Sequence, residues 1–521
     1  MSSNYLLAID AGTGSIRAVL FDRKGNQLSC VQEEWEHRED PKYPGSMDFN
    51  WERNWELASS CIRRVLCSST GEPYEIAAIS TTCMREGIVL YDKDGKEIWA
   101  CANVDARSND EVKQLISSDP ELERLLYYET GQSYALDALP RLLWVKNKMP
   151  DIYERIAYIG MFNDWLMFKL TGILAVEPSN GSTTGLFDLK TRLWNPKIAG
   201  RCGLRTDIFP LVKECGTVIG RTSSDCTGHT GLPEGIPVVV GGGDAQLGCI
   251  GVGVVHVEEA ALFGGSFWQY EYNTDKPDTD PGCRVRVNCH AIPGIWQYEA
   301  LAFQPGLVMR WYRDSFCHAE KRLADQTGKS VYDLMNEEAE KIPAGCYGMM
   351  CTFSDVMNFI NWKHAAPTFS NFELDPQKYN HYTFYRAILE NTALVTKGHL
   401  ELVREATGHL PKEITFAGGA ANSSLWAQIL SDVLGLPVKV PKVKEATALG
   451  AAILAGYGIG MYQDIAETAK ELVTIEHQFM PNMENHRIYC GIYKNWREFY
   501  QAQLLLCDRK ITKNMWIAPG L

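Results

Sequence analysis

The fold is decided by the stretch LLAIDAGTGSIRAVLF, which occupies residues 6–21. The apolar residues 6–9 predict a buried strand, and residues 16–21 predict a second strand that follows at once. Between them, the glycines of residues 10–15 let backbone N–H groups approach an anion closely. The stretch therefore predicts two strands joined by an anion-binding turn, with Asp10 at its start.

A second acid-bearing glycine turn, GGGD at residues 241–244, lies near the middle of the chain. The β-branched run at residues 236–240 predicts a strand before it, which places Asp244 at the carboxyl end of that strand. Open α/β sheets bind ligands at such ends. Together the two turns indicate a phosphoryl-transfer site, in which one acid can hold Mg²⁺ and the other can accept a proton.

The first hundred residues show the element order of a ribonuclease-H-like core. A hairpin turn at residues 24–26 leads to a third strand at residues 28–35. An amphipathic helix at residues 51–66 and a strand at residues 76–83 follow. A three-stranded meander, a helix and a further strand predict an α/β fold.

The second half resembles the first. Residues 260–268 again predict a strand, a glycine turn with a hydroxyl residue, and a return strand, so this half is a candidate repeat. We place the domain boundary between residues 252 and 253, so that the two domains span residues 1–252 and 253–521. A third glycine turn at residues 417–420 precedes a predicted helix at residues 423–434, whose amino terminus can face an anion or a ribose.

Composition limits the partners and the compartment. The chain has 521 residues and a net charge of −13, so two to four domains are expected and a nucleic acid or an anionic membrane is disfavoured as the main partner. No basic and apolar leader precedes the first strand, so a cytoplasmic location is expected. The uncharged residues 446–463 are too weakly apolar for a membrane span and predict a buried helix.

Taken in order, the motifs resemble the FGGY family of carbohydrate kinases, and the resemblance spans nearly the whole chain. The motifs are Asp10-x-Gly-Thr-x-Ser, Met84-Arg85-Glu86, Gly241 to Asp244, Gly264-Gly265-Ser266, Gly418-Gly419 and Glu445 to Gly450. The resemblance implies an actin-like ATPase fold of two ribonuclease-H-like domains that close over ATP in a cleft. It also implies that the amino-terminal domain provides most of the contacts to the sugar.

The resemblance assigns a role to each motif. It implies that Asp10 lies near Mg²⁺, that Asp244 is the catalytic base, and that Arg85 and Glu86 bind substrate hydroxyls. The nucleotide-binding positions that it implies are Gly12, Thr13, Gly14 and Ser15 in the first phosphate turn, Gly265 and Ser266 in the second, and Gly418 and Gly419 at the adenosine. Asp105 and Arg107 follow a predicted strand, where they either bind and orient the substrate or pair with each other.

Three positions depart from the family pattern. Gly265 replaces a common threonine, Arg141 replaces a common lysine, and Asn103 replaces an aromatic residue that often lines the polyol pocket. The last change favours a more polar or hydrated substrate than glycerol or an ordinary ketose. The expected reaction is ATP- and Mg²⁺-dependent phosphorylation of a small polyhydroxylated carbonyl compound.

Three alternatives stay open at this stage. The chain could be a kinase for another polyol or ketose, such as glycerol, xylulose or ribulose, because such enzymes share every nucleotide motif. It could be an actin- or chaperone-like ATPase that phosphorylates no small molecule, or a weakly catalytic sugar sensor. The sequence is compatible with a regulatory protein partner but locates no surface for one, and it leaves the oligomeric state open.

Overall fold

The computed structural model describes residues 5–66, 74–135 and 137–521. The first half of this described chain contains eleven strands and ten α-helices. The strands are β1 (Tyr5–Ala11), β2 (Ser15–Asp22), β3 (Gln27–Glu34), β4 (Ile76–Cys83), β5 (Ile88–Tyr91), β6 (Glu97–Cys101), β7 (Tyr158–Met161), β8 (Phe187–Asp188), β9 (Leu193–Trp194), β10 (Val218–Arg221) and β11 (Pro237–Gly243). The helices are α1 (Trp51–Val65), α2 (Asn109–Ser118), α3 (Leu122–Thr130), α4 (Ala138–Lys148), α5 (Pro150–Arg155), α6 (Phe162–Thr171), α7 (Pro178–Gly181), α8 (Pro196–Arg201), α9 (Ser224–Thr230) and α10 (Asp244–Gly251).

The first large sheet has the strand order β10-β11-β4-β1-β2-β3. Strands β1, β2 and β3 form an antiparallel meander, whereas β4 is parallel to both β1 and β11. The structure confirms four predicted strands and one predicted helix, with bounds that differ by at most two residues. The strands are those at residues 6–9, 16–21, 28–35 and 76–83, and the helix is that at residues 51–66. A smaller sheet of β6, β5 and β7, with helices α2 to α5, is inserted between β4 and β11.

The second half of the described chain contains eleven strands and eight α-helices. The strands are β12 (Ala260–Gly264), β13 (Trp268–Thr274), β14 (Arg286–Cys289), β15 (Trp296–Ala302), β16 (Met350–Thr352), β17 (Lys363–Ala365), β18 (Thr368–Ser370), β19 (Ile414–Ala417), β20 (Val438–Pro441), β21 (Ile475–Phe479) and β22 (Asn514–Ile517). The helices are α11 (Pro305–Phe316), α12 (His318–Thr327), α13 (Val331–Ala339), α14 (His381–Thr407), α15 (Ser424–Leu434), α16 (Ala446–Gly458), α17 (Ile465–Leu472) and α18 (Met483–Asp508).

The second large sheet repeats the topology of the first. Its order is β14-β15-β13-β12-β19-β20-β21. Strands β12, β13 and β15 form an antiparallel meander, and β12, β19 and β20 are parallel. The predicted repeat is therefore confirmed, and the chain is an α/β protein built on two ribonuclease-H-like units.

Helix α16 joins the two units into one body. It belongs to the second half of the chain, yet its buried face packs in one apolar cluster with Leu6, Ala8 and Val239 of the first sheet. It also approaches α10 so closely that a Cβ at Gly450 would lie 2.0 Å from the Leu247 carbonyl oxygen. The predicted buried helix is thus confirmed, and its glycines permit the close packing. No helix within the described residues is long and apolar enough to cross a membrane.

Candidate functional site

Three parallel strands of the first sheet end at one edge, and each carries predicted site residues there. Asp10 lies one residue before the end of β1, Arg85 and Glu86 follow β4, and Asp244 begins α10 directly after β11. Because parallel strands present their carboxyl ends at the same edge, residues separated by more than 200 positions in the chain meet in space. The fold therefore brings the two predicted acids and the predicted hydroxyl-binding pair together.

Asp10 lies in a strongly acidic environment. Its side chain is buried and forms an ion pair with Arg17 at 3.6 Å, while Arg17 also contacts Glu445 at 3.1 Å. Burial raises the pKa of Asp10 to about 7; Arg17 opposes this shift, and the negative charges of Asp244 and Glu445 add to it. An acid whose charge is disfavoured in this way gains from a nearby cation.

The donor set fits Mg²⁺ only in company with another ligand. Within the described residues, no group of three or more histidine, cysteine, aspartate or glutamate side chains could hold a metal ion. Mg²⁺ in phosphate-transferring sites is usually held by one or two carboxylates together with substrate phosphates and water. Asp10 alone beside a phosphate turn matches that pattern.

The glycine turn at residues 12–15 is held by hydrogen bonds that its oxygen atoms accept. The indole Nε1 of Trp35 donates to the carbonyls of Gly12 and Thr13 at 3.0 and 3.1 Å. The amide of Asn103 donates to the Thr13 hydroxyl at 3.0 Å. A Cβ placed on Gly14 would meet no atom of the described protein within 4 Å. The space beside Gly14 is therefore open to a ligand.

Asp244 is the first residue of α10 and lies next to Arg85. Its side chain is 38% exposed, and Arg85 Nε lies 3.3 Å from its Oδ1. Although part of the side chain is exposed, desolvation by the surrounding protein raises the pKa of Asp244; Arg85 opposes this shift, and Glu86 adds to it. A carboxylate with a raised pKa is a better proton acceptor than an ordinary aspartate, provided that it remains ionised.

Arg85 and Glu86 belong to a buried ionic network with the second sheet. Arg85 donates to both carboxylate oxygens of Glu299, with Nη2 to Oε1 at 3.1 Å. Arg286 pairs with Glu86 at 2.7 Å and with Glu299 at 3.2 Å. Burial alone would raise the pKa of Glu299, but the charges of Arg85 and Arg286 hold it below its ordinary value. The network fixes the loop after β4 against strands β14 and β15.

Asp105, for which the sequence left two roles open, lies in the loop after β6. Its carboxylate accepts from Arg107 Nε at 2.8 Å and from the Met47 amide at 2.6 Å, and its side chain is fully buried. Asp105 and Arg107 therefore pair with each other. The Asp105 carboxylate is occupied within the protein, although the residue borders the cavity of about 470 Å³ beside these loops.

Arg141, one of the departures from the family pattern, joins the two loops of this region. Its guanidinium donates to the carbonyls of Glu86, Asn103 and Asp105, the last two at 2.7 and 3.0 Å. Glu86 has a positive φ of 65°, a conformation uncommon for residues other than glycine. Arg141 thus stabilises the backbone that presents Glu86.

A cavity of about 470 Å³ opens beside these loops. The first half of the chain contributes charged side chains to its lining. The second half contributes apolar residues and Arg286 of β14. The lining includes Arg85, Glu86, Asn103, Asp105, Gln269, Arg286, Leu301, Phe303, Trp362, Trp516 and Leu521. The resemblance implied contacts mainly from the amino-terminal domain, but the second half and the carboxyl-terminal residues supply much of this wall.

A second cavity of about 460 Å³ lies on the second unit. Gly265 and Ser266, from the turn between β12 and β13, line it together with Gly419. Gly418 has a φ of 87°, and a Cβ there would lie 2.7 Å from the Gly264 carbonyl oxygen, so the two turns pack on each other. The neighbouring Phe267 lines the first cavity. The same turn therefore borders both cavities.

Several residues of the site were missed by sequence reasoning. Arg17, Arg286 and Glu299 each lie within a strand whose pattern gives no sign of function. Their partners are distant in the chain, such as Arg85 and Glu299, which are 214 residues apart. The motif Glu445 to Gly450 was visible in the sequence, but it assigned no role to Glu445 and gave no indication of its partner Arg17.

The models of the FGGY family of carbohydrate kinases match this chain twice. The amino-terminal domain model matches residues 5–251, and the carboxyl-terminal domain model matches residues 270–459. Among curated proteins, the autoinducer-2 kinase of Yersinia enterocolitica is 49% identical over 523 residues, covering 100% of this chain and 98% of that protein. The autoinducer-2 kinase of an Enterobacter species is 49% identical over 519 residues, covering 99% and 98%.

Solved structures show the same fold at lower identity. A xylulose kinase from Rhodospirillum rubrum superimposes with a TM-score of 0.83 at 22% identity, covering 96% of this chain and 98% of that chain. A Plasmodium falciparum glycerol kinase crystallised with ADP gives a TM-score of 0.83 at 20% identity, with the same coverage. At these identities the likeness establishes the architecture and leaves the substrate to other observations.

Proposed function

This chain belongs to the FGGY family of carbohydrate kinases, and we propose that it transfers the γ-phosphoryl group of ATP to autoinducer-2. The acceptor in this proposal is the terminal C5 hydroxyl of linear or hydrated 4,5-dihydroxy-2,3-pentanedione. The observation that carries the substrate assignment is the 49% identity to autoinducer-2 kinases over the full length of both chains. The mixed polar and apolar cavity beside Arg85 and Glu86 supports it.

The nucleotide is proposed to lie across both phosphate turns. Gly265, Ser266 and Gly419 line the second cavity, which has the volume for an adenosine and opens beside the turn that also borders the first cavity. Gly418 allows the adenosine turn to pack against Gly264. Gly12 to Ser15 would then face the terminal phosphates from the opposite unit. Backbone N–H groups of such turns bind phosphate oxygens.

Asp10 is the residue proposed to hold Mg²⁺, together with the nucleotide phosphates. When bound, Mg²⁺ would neutralise charge that develops on the transferred phosphoryl group. The raised pKa of Asp10, which is due mainly to burial and in smaller part to the charges of Asp244 and Glu445, supports this assignment because a bound cation would favour the ionised form. Arg17 is placed to balance the same cluster when Asp10 and Glu445 are ionised.

Asp244 is the proposed catalytic base. Its carboxylate would take the proton of the C5 hydroxyl while that oxygen forms a bond to the γ-phosphorus and the bond to the ADP oxygen breaks. Arg85 orients Asp244 through the 3.3 Å ion pair, and Glu86 is proposed to accept a substrate hydroxyl hydrogen bond. Asp105 would act on the substrate through the loop that it and Arg107 hold in place.

We further propose that the chain divides into two functional halves between residues 252 and 253. We also propose that the protein is located in the cytoplasm. The family models, which end at residue 251 and restart at residue 270, support this division. The last strand of the first large sheet ends at Gly243, and the first strand of the second begins at Ala260. Domain closure about this region would exclude water from the reacting phosphate. A small-molecule substrate is the main partner in this proposal.

Purified protein tests the proposal with Mg²⁺ATP and four separate acceptors. ADP release would be measured with dihydroxypentanedione, glycerol, xylulose and ribulose, and the product masses would be checked. We expect strong turnover on dihydroxypentanedione alone. Preference for another acceptor would contradict the substrate assignment, and ADP release without any phosphorylated product would favour the ATPase alternative.

Replacing Gly14 with alanine is predicted to weaken nucleotide binding without destabilising the protein. Gly14 does not require positive φ, and its Cβ would enter only the open space beside the turn. We expect Gly14→Ala to raise the Kd for Mg²⁺ATP at least 10-fold, measured by calorimetry, with an unchanged Tm. Gly491→Ala, in the middle of α18 with similar open space, is the matched control and should leave the Kd unchanged. Equal affinity in both variants would remove Gly14 from the phosphate site.

The pH dependence of kcat/KM for the acceptor should report the ionisation of Asp244. Only the ionised carboxylate can accept the proton, so activity should fall as the pH decreases through the raised pKa of Asp244, above the ordinary aspartate value of 3.8. Glu86→Gln removes a negative charge that raises this pKa, so its acidic limb should move to lower pH. Saturating Mg²⁺ATP keeps Asp10 ionised during the measurement. If the acidic limb lies at the same pH in the wild type and in Glu86→Gln, the assignment of this limb to Asp244 is contradicted.

A further inference from the structure

The last eight residues form a tail that crosses from the second unit to the first. Residues 514–517 form β22, which pairs with β17, and the Ala518 amide then donates to the Trp362 carbonyl at 2.9 Å. Beyond this point the Gly520 amide donates to Asn109 Oδ1, at the start of α2, at 2.8 Å. A Cβ at Gly520 would lie 2.3 Å from Val112, so this approach is close. The tail is anchored at both ends of its path.

Along this path the tail lines the 470 Å³ cavity. Arg85 and Glu86 line the same cavity. Five residues of the tail line it: Trp516, Ile517, Ala518, Pro519 and Leu521. The FGGY carboxyl-terminal domain model ends at residue 459, so this part of the wall lies outside the segment that the family model matches.

Trp516 completes an aromatic wall. Its ring centroid lies 4.8 Å from that of Trp362 and 5.0 Å from that of Phe303. Both partners are buried, whereas Trp516 is only partly buried, so it presents a face to the cavity. With Leu301 and Ile517, these rings give one region of the cavity an apolar surface.

Other walls of the cavity are polar and incompletely paired. Asn103 Oδ1 and Arg286 Nη2 have no hydrogen-bond partner within the described protein, although both residues line the space. Buried polar groups that lack a partner in the protein are expected to bond to a ligand or to water. The cavity therefore suits a small molecule that carries both oxygen functions and a short alkyl end.

We propose that the tail is a specificity-determining element, in which Trp516 receives the alkyl end of the acceptor. The inference rests on the proposed function, because 4,5-dihydroxy-2,3-pentanedione has a methyl group at C1 and hydroxyls at the other end. With the methyl against Trp516, the hydroxyl end is left to Arg85 and Glu86, which line the cavity, and Asp244 lies behind them with its Oδ1 3.3 Å from Arg85 Nε. The tail would thereby discriminate in favour of acceptors that carry the methyl group.

Selectivity between two acceptors tests this inference. One is dihydroxypentanedione, and the other is the analogue with hydrogen in place of the C1 methyl. One methyl in an apolar pocket changes kcat/KM by about 10- to 200-fold. We expect the wild-type preference for the methyl compound to be largely lost in Trp516→Ala and retained in Trp516→Phe. The kcat/KM for the hydrogen analogue should stay within about threefold of the wild-type value in both Trp516→Ala and Trp516→Phe.

A matched control and a second variant separate specificity from folding. Ile511→Ala changes an exposed side chain just before the tail and should leave the preference unchanged. Deletion of residues 519–521 keeps β22 and the Ala518 hydrogen bond but removes the contact to Asn109, and it should also lower the preference. An equal loss of activity on both acceptors in Trp516→Ala and in the deletion variant would overturn the inference, because it indicates a structural role only.

Different results would overturn the proposed function and the role of the tail. Wild-type protein without phosphorylated dihydroxypentanedione would overturn the proposed function, and the tail inference would be overturned with it. Wild-type protein that phosphorylates dihydroxypentanedione, with unchanged selectivity in Trp516→Ala, would overturn the tail inference alone.

Discussion

Asp244→Asn should lower kcat by about 10²- to 10⁴-fold, the range that general base catalysis usually contributes, while leaving the Kd for Mg²⁺ATP within about twofold of wild type. Asparagine has the shape of aspartate and can still accept the hydrogen bond from the Ala245 amide, which lies 2.8 Å from Asp244 Oδ1. The variant therefore removes the proton acceptor and keeps the start of α10. Turnover would be measured at saturating ATP and dihydroxypentanedione, and nucleotide binding by calorimetry.

The control for this variant is Asp225→Asn. Asp225 also lies in the first turn of a helix, α9, but it is exposed on the surface. It should retain the turnover of the wild type. Near wild-type turnover in Asp244→Asn would remove Asp244 from the role of base and leave positioning and charge stabilisation as the main sources of catalysis.

Arg85→Met should both inactivate and destabilise the protein. Arg85 is buried between Glu299 and Asp244, so its removal leaves an excess of negative charge inside the structure. Removing one partner of a buried ion pair costs about 3–5 kcal/mol. Glu299 keeps Arg286 and Asn288 as partners, which places the expected loss at the lower end, about 3 kcal/mol. Urea unfolding monitored by tryptophan fluorescence would measure it.

A compensating substitution distinguishes the two effects of Arg85. In Arg85→Met with Glu299→Gln, the number of buried charges of each sign in the network is again equal. We expect this double variant to recover about 1–2 kcal/mol of stability, within the usual range for contacting residues, yet to remain inactive because Asp244 lacks its partner. Arg53→Met breaks an exposed pair with Glu56 and should cost under about 1 kcal/mol. Full activity in the double variant would contradict the orienting role of Arg85.

The sequence predicted the strands and turns of the site because their signals are local. The apolar run before Asp10 and the β-branched run before Asp244 each mark a buried strand, and both strands are present. The repeat of the ribonuclease-H-like order was also visible, since it depends on element order and on the glycine turn at residues 264–266. These features require only neighbours in the chain.

Features that depend on distant pairs were not predictable in the same way. The burial of Arg286 and Glu299 beneath Arg85 and Glu86 depends on the packing of β14 and β15 against the loop after β4. The tail reaches Asn109 from 411 residues away, and no periodicity in either segment indicates that contact. The hydrogen bonds of Asp105 could not be predicted without the positions of Arg107 and of the Met47 amide. A carboxylate in a loop can equally bind a ligand or a neighbouring arginine.

The position of the phosphate on the product is a direct test of the proposed reaction. Purified protein would be incubated with Mg²⁺ATP and dihydroxypentanedione, and the product would be examined by proton-coupled ³¹P NMR after removal of nucleotides. A phosphate on the C5 oxygen is attached to a CH₂ group, so the account predicts a triplet. A doublet, which indicates attachment at the C4 CH group, or the absence of any new phosphate ester would contradict it.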